Sequence, residues 1–409
     1  MMKTWFKIFL SGVVCALITF KVHAGEIKLV ESVPDETVYG SKYALNTTDV
    51  WLEMINKAVK SIDMEQFYIA NMPGEPLEAV LNAIKEAAER SVKIRVIVDS
   101  MMMKESSVSV EPLKSVANFE VRVMDFKKLA GGVQHAKFFI VDDKEVFVGS
   151  QNFDWRALKH IHELGVRIKS ERAAKTFKTI FEHDWKVSAA DDTKTAEEIF
   201  HKMDFNPVTK KSPEKAMFNG SPISYYLAFS PQKLKPPKFN SEIDEILGLI
   251  EKAKKTILIQ VMTYSILDYD NTRWNELNDA LEQAAKRGVN IKMVLADWTM
   301  GKKTDKDIKN LSKIPNIKIK ISSIPEYTGG FIPFSRVEHC KYMVVDDKTA
   351  LISTSNWSKS YFYSSRDAAV IMKGKTAADA VKDVFQKAWN GPYVRLVDTE
   401  KEYQPVQRQ

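Results

Sequence analysis

The sequence predicts an α/β protein made of one unit written twice. Three observations carry this expectation. A strand–helix–strand pattern occurs once in each half. A motif of His, Lys and Asp recurs 204 residues later. Each half then closes on an amphipathic helix whose Phe and Trp repeat at the same offset.

In the first half "AVKSIDMEQFY" (58–68) reads as a strand, "PLEAVLNAIKEAAERSV" (76–92) has the 3–4 apolar spacing of a helix, and "KIRVIVD" (93–99) reads as a buried strand. "AKKTILIQVMTY" (253–264), "WNELNDALEQAAKRGV" (274–289) and "NIKMVLAD" (290–297) repeat that order. A βαβ order implies parallel strands joined by a right-handed crossover. A motif strand, a turn and a return strand follow each unit: "VQHAKFFIVDDKEVFVGSQNFDW" (133–155) and "VEHCKYMVVDDKTALISTSNW" (337–357). The closing helices are "ERAAKTFKTIFEHDW" (171–185) and "KTAADAVKDVFQKAW" (375–389), with Phe181, Trp185, Phe385 and Trp389 expected in the core. From about 186 to 240 the chain is rich in Lys, Pro, Ser and Asn, as a connection would be, and "ISYYLAFS" (223–230) reads as a strand entering the second half. The expected organisation is a leader (1–24), an N-terminal lobe (25–205), a linker (206–240), a C-terminal lobe (241–395) and a frayed tail (396–409).

At 409 residues, 44% hydrophobic and 28% charged, the chain can bury two ordinary cores and lies far from disordered compositions. Residues 1–24 differ in kind: Lys3 and Lys7, the uncharged run "IFLSGVVCALITF", then Val22 and Ala24 at the small-residue positions. This is the layout of a secretory leader cleaved after Ala24, and it predicts an exported protein, periplasmic or secreted in a bacterial setting. A retained anchor is the alternative, but the run falls short of the roughly 20 residues a span needs. Cys15 follows Gly12-Val13-Val14, a poor lipidation signal. The formal charge is +7; the leader holds three lysines and no acid, so a processed chain carries 57 basic against 53 acidic residues, a net +4. That mild excess suits an anionic substrate or a plain solvated surface. After cleavage Cys340 is the sole cysteine, so no internal disulfide is expected.

The chemistry lies in His-x-Lys-x4-Asp, found as His135, Lys137, Asp142 and as His339, Lys341, Asp346. Asn152 and Asn356 lie 17 residues after each His, and Glu163 and Asp367 lie 28 after. On a strand, alternate side chains share a face, so each His and Lys point together. A hairpin centred on Asp143-Lys144 would set His135 across from Asn152 and Lys137 across from Ser150; the second copy would pair His339 with Asn356 and Lys341 with Thr354. Small residues opposite the lysines would leave room for a ligand. Asp142 and Asp346 are expected to anchor the turn or nearby backbone. Such a patch suits a phosphodiester: ammonium and amide groups hold the non-bridging oxygens, one imidazole attacks phosphorus and the other protonates the leaving oxygen. Glu163 and Asp367 can each fix a histidine tautomer. Lysines supply the positive charge, so no metal is required. A single His in a strand is usually structural, but five residue types repeating at fixed spacing are not explained that way.

His160 and His162 with His183 fit no common metal spacing. Cys340 lies between His339 and Lys341 and faces the other way, as a packed residue. Trp155, Trp357, Tyr361 and Phe362 follow the two Asn positions and are candidates for the cleft rim, with core packing the alternative.

The paired "HAKFFIVD…GSQN" and "HCKYMVVD…STSN" resemble the duplicated HKD motifs of the phospholipase D superfamily across roughly residues 25–395. "ESVPDETVYG", "GGVQHAKFFIVDDKEVFVGSQNFDWRAL…ELG" and "HCKYMVVDDKTALISTSNWSKSYF" are similar to the branch of animal endolysosomal phospholipase-D-like proteins, which include 5′-exonucleases, and poxvirus envelope phospholipase-like proteins. The resemblance implies two pseudo-symmetric α/β/α lobes with mixed sheets, one active site at the lobe interface, a phosphohistidine intermediate and no metal or other cofactor. It implies His135 as nucleophile, His339 as general acid and base, Lys137, Lys341, Asn152 and Asn356 on phosphate, and Glu163 and Asp367 supporting the histidines. The near-symmetric residues alone leave open which His attacks. The animal branch's disulfides do not carry over to a chain with so little cysteine. The leading expectation is a phosphodiesterase hydrolysing or transferring phospholipid head groups. The alternative is a single-strand nucleic acid 5′-exonuclease using the same site, and a non-catalytic phosphate- or lipid-binding protein comes third. Expected partners are those substrates and a peripheral membrane surface, with a monomer forming an intrachain pseudo-dimer.

Overall fold

Among the described residues, sixteen main strands run through one continuous mixed sheet of 18 strands. In chain order they are β1 (Gly25–Ser32), β2 (Ser61–Gln66), β3 (Lys93–Asp99), β4 (Phe119–Met124), β5 (Phe138–Val141), β6 (Glu145–Gly149), β7 (Glu163–Lys169), β8 (Glu214–Phe218), β9 (Ser221–Ser230), β10 (Thr256–Val261), β11 (Asn290–Ala296), β12 (Ile317–Ser322), β13 (Lys341–Val345), β14 (Thr349–Ser353), β15 (Asp367–Lys373) and β16 (Val394–Leu396). This computed structural model describes residues 25–190, 203–268 and 271–408; the expected leader lies outside the described residues.

The first lobe orders its strands β4-β3-β2-β5-β6-β7-β1, and the second β12-β11-β10-β13-β14-β15-β9. In each, the first three strands are parallel, as the βαβ reading requires, and the rest are antiparallel. The β2–β3 crossover contains helix α1 (Pro76–Glu89), which opens on Pro76, a residue whose fixed φ suits the first helical position. Leu77, Val80, Leu81, Ile84, Ala87 and Ala88 form its buried stripe. Helix α2 (Glu171–Ala190) and helix α3 (Lys375–Asn390) close the lobes. Phe181 stacks on Trp185 at 5.5 Å, and Phe385 on Trp389 at 5.7 Å, so the repeat extends to ring packing.

Three expectations are corrected here. First, beside the strand expected at 223–230, the connecting segment carries a second one, Glu214–Phe218, that the sequence reading did not expect. β8 pairs with β1 of one lobe, while β9 pairs with β15 of the other, so the connection welds two half-sheets into one. Second, the tail does not fray. β16 pairs with β12, Val397 donates to the Ile319 carbonyl at 3.0 Å, and the Arg408 carbonyl accepts the Phe334 N–H at 2.9 Å.

Third, the hairpin register is one residue away from the expected one. Phe138 pairs with Val148 and Tyr342 with Ile352, which sets Lys137 opposite Gly149. The cause is a three-residue loop. Asp142 and Asp143 both adopt positive φ of 55°, and Asp346 and Asp347 do the same at 53° and 52°; Asp tolerates this region better than most residues. The loop aims Asp142 at three backbone N–H groups, those of Val59, Lys60 and Ser61, at 3.0, 2.6 and 3.0 Å. Asp346 receives Lys254, Lys255 and Thr256 at 2.9, 2.7 and 3.0 Å. Asp142→Ala removes one acceptor from three donors and is expected to destabilise the protein by about 2–3 kcal/mol, the scale of bonds to a charged group, read as a lower denaturation midpoint at neutral pH.

Candidate active site

The two motif strands reach their partner lobes through paired backbone bridges. Gln134 bridges to Arg366 and His162 to Glu338, both in parallel. The His135 N–H donates to the Arg366 carbonyl at 3.0 Å, and the His339 N–H to the His162 carbonyl at 2.9 Å. This places His135, His339, Asn152 and Asn356 on one cavity of about 220 Å³, with Tyr361 in its wall.

The acids are exchanged between halves. Asp367 of the second lobe bonds His135 Nδ1 of the first at 2.8 Å, and Glu163 of the first bonds His339 Nδ1 of the second at 2.8 Å. Each histidine thus has its far nitrogen fixed by the opposite lobe, leaving Nε2 to act. The Thr354 hydroxyl donates to Asp367 at 2.6 Å. Ser150 holds the Leu164 N–H at 2.9 Å and hydrogen bonds Glu163. These residues, expected only to leave room opposite the lysines, are partners of the acids. Gly149 beside them is needed for close approach: a Cβ there would lie 2.6 Å from the Gly165 Cα on β7.

Lys137 and Lys341 are wholly buried, and each ammonium donates to the carbonyl of its own motif histidine, Lys341 at 2.7 Å. Burial pushes Lys137 well below the usual lysine range and Lys341 down to about 8. Burial, then the lysines, also pushes both motif imidazoles well below their ordinary value, so they are neutral near pH 7. Burial pushes Asp367 up to about 7 and raises Glu163 strongly, against the pull of the lysines. Asn152 Oδ1, Asn356 Oδ1 and Asp367 Oδ2 are buried without a hydrogen-bond partner. The buried ammonium groups describe a pocket suited to an anion, while the unpartnered Asn and Asp oxygens are acceptors that call for a donor such as a water or a protonated group.

The chain matches the family described as "Cardiolipin synthase, PLD-like domain" over residues 51–185 and 246–389, one match per lobe. The chain belongs to the phospholipase D-like family. It is 30% identical to "5'-3' exonuclease PLD3" of Xenopus laevis, over 91% of this chain and 81% of that one. It is 27% identical to "Phospholipase D Z" of Dictyostelium discoideum, over 98% and 100%. It is 30% identical to the "Virion nicking-joining enzyme" of vaccinia virus (strain Western Reserve), over 91% and 89%. As a phospholipase D-like chain with both half-sites complete, it is a phosphodiesterase.

The rim expected of this phospholipase D-like site is corrected. Trp155 and Trp357 pack in the core, at 8% and 1% exposure, and Phe362 is fully buried. Trp155 meets His160 edge-on and Phe362 packs on Trp274, so these rings support the wall from behind. Tyr361 alone of the four faces the cavity, with its ring 4.7 Å from that of His135. The wall is otherwise made by Phe67, Tyr68, Met102, Glu105, Arg156, Ile161, Met262, Trp298, Phe334 and Val337. Phe67 and Met262 each follow directly on the first strand of a βαβ unit, and that shared position was the available signal. The histidines weighed for a metal do not meet: His160 lies against Trp155 and Tyr327, His183 bonds Asp184 at 2.6 Å, and His162 lies between Glu338 and Glu31. Cys340 is buried, and burial pushes its thiol up, as for a packed residue.

Proposed function

We propose that this phosphodiesterase hydrolyses single-stranded nucleic acid without a metal, through a phosphohistidine. The observation that carries the chemistry is the shared cavity, where two neutral imidazoles stand beside two buried lysines short of countercharge. An anionic phosphodiester offsets the lysines and lets one imidazole take up a proton. His135 Nε2 attacks phosphorus while Asp367 holds its Nδ1. The ester P–O bond breaks, and protonated His339 gives its proton to the departing oxygen. Neutral His339 then takes a proton from water, whose oxygen displaces His135 from phosphorus. Lys137, Lys341 and the two Asn amides stabilise the equatorial oxygens throughout.

The substrate class is supported by a groove of about 490 Å³ that shares Met262 and Tyr361 with the active-site cavity. Lys302, Lys303 and Arg408 line it, with hydroxyls from Thr263, Ser265, Thr304, Ser358 and Ser360. Among the described residues lining it, Asp268 is the carboxylate, 3.7 Å from Lys359. A cationic, hydroxyl-rich groove leading from the reacting phosphorus suits further phosphates of a strand. A phospholipid is the second reading, favoured by the apolar wall of Phe67, Met262, Trp298 and Phe334 and by the likeness to phospholipase D Z.

The test is K302E/K303E. Its hydrolysis of bis(4-nitrophenyl) phosphate should match wild type. Its KM for a single-stranded oligonucleotide should rise about tenfold at low salt, and the salt dependence should flatten by about 0.7 per lost phosphate contact. Unchanged oligonucleotide kinetics, with faster turnover of phosphatidylglycerol vesicles, would transfer the assignment to lipid. The charged and apolar pattern of residues 1–24 supports export as part of this proposal. Two half-sites in one chain support a monomeric working unit.

A further inference from the structure

His162 and Arg366 occupy equivalent positions, 204 residues apart. Each directly precedes the acid that holds the opposite lobe's histidine. Each carbonyl accepts that histidine's N–H, and each N–H is returned to the motif segment, Arg366 to Val133 at 2.9 Å and His162 to Val337 at 3.1 Å. Both side chains are buried. Arg366 is a permanent cation, donating to Asp184 at 2.6 and 2.7 Å and to the carbonyls of Ser230 and Leu234 at 3.0 and 2.6 Å.

His162 is engaged at both ring nitrogens by carboxylates: Nδ1 by Glu338 at 2.8 Å and Nε2 by Glu31 at 2.9 Å. Glu31 also accepts the Ser41 N–H at 2.7 Å, and Tyr39 stacks on the ring at 4.2 Å. A neutral imidazole has one N–H and could satisfy one of these carboxylates; the other would face its lone pair in a buried site. With both nitrogens donating, the ring also has no lone pair for a metal.

We infer that His162 is a buried imidazolium, a positioning residue that holds the His339–Glu163 half-site as Arg366 holds the His135–Asp367 half-site, and that of these two positioning cations only the one behind His339 is titratable.

The groups facing the ring are Glu31 from β1, Tyr39 from the following loop, Glu338 and Cys340 from the motif segment and Glu163 next to it in sequence. Burial alone would lower the His162 value; Cys340, Glu338 and Glu31 outweigh it, and the net direction is well above the ordinary imidazole range. Cys340 contributes to that rise only as a thiolate, and burial pushes its thiol up, so the charged ring rests on the two carboxylates hydrogen bonded to its nitrogens. A raised folded-state value means that support is complete below about pH 6.5 and is lost as pH rises through the folded value.

The charge state is independent of the substrate; only its effect on turnover rests on the phosphodiesterase reading. The test therefore has two arms. In the intact protein labelled with ¹⁵N-histidine, and assigned by loss of one signal in H162Q, the His162 ring should be doubly protonated at pH 7.5. A neutral ring there, or a ring nitrogen bound to a stoichiometric metal, would overturn the inference. In the second arm, H162Q should lower kcat on bis(4-nitrophenyl) phosphate by about 10–100-fold with little change in KM, as for a small displacement of a reacting group. The wild-type to H162Q ratio should shrink as pH rises, and H162K should restore kcat. Lys341 titrates in both proteins of that ratio, so its own alkaline loss cancels. An H162K variant no more active than H162Q would overturn the positioning role, and the pH at which the wild-type to H162Q ratio shrinks reports the folded value.

Discussion

His135→Ala is expected to abolish turnover, by about 10⁴-fold or more, because it removes the group that forms the covalent bond to phosphorus. His339→Ala should be comparably inactive on an oligonucleotide, where the leaving oxygen needs a proton. The two variants should separate on bis(4-nitrophenyl) phosphate. Its leaving group departs without protonation, so His339→Ala should release one equivalent of 4-nitrophenol and stall as the phosphohistidine, whereas His135→Ala should give no burst. The reverse pattern would exchange the roles of the two histidines. Both variants should retain the wild-type fold, because the backbone bridges from His135 to Arg366 and from His339 to His162 do not use the side chains. Near wild-type turnover by either variant would end the proposed mechanism.

Lys137→Met should have effects of opposite sign on activity and stability. The ammonium is wholly buried, and burial pushes its value down more strongly than Asp367 and Glu163 pull it up. It is therefore a charge the folded protein holds at a cost. An isosteric apolar side chain should raise the thermal midpoint, or leave it unchanged, while kcat falls about 10²–10³-fold through loss of transition-state charge stabilisation. Denaturation and steady-state kinetics on the same sample check both signs. A large loss of stability would mean that the bond from Lys137 to the His135 carbonyl supports the strand rather than the reaction.

The sequence made the repeat legible because each βαβ unit carries its own periodicity and because His, Lys, Asp, Asn and an acid recur at one spacing. β3 covers the residues expected of it, Lys93–Asp99, since a buried parallel strand shows as a nearly continuous apolar run bounded by charge, here broken only by Arg95. The exchange of acids was not legible. A separation of 28 residues within a half is the same number whether the carboxylate turns back to its own histidine or reaches the other lobe. The hairpin register was missed because "DDK" permits either a two- or a three-residue loop, and the positive φ of both aspartates decides it. The cleft wall was misassigned because Trp155 and Trp357 follow the site in sequence yet pack behind it, while Trp298 and Phe334 arrive from distant loops. The tail's contact with Phe334 and Trp298 depends on a backbone pairing that composition does not encode.

Because Asp367 completes His135 and Glu163 completes His339, neither motif is a finished machine. A chain bearing one copy would have to meet a twin before it could act, and its output would follow the square of its concentration. Tethering the twins in one polypeptide frees catalysis from dilution. It also lets each copy drift from its sibling, as the imidazole at 162 and the guanidinium at 366 have done.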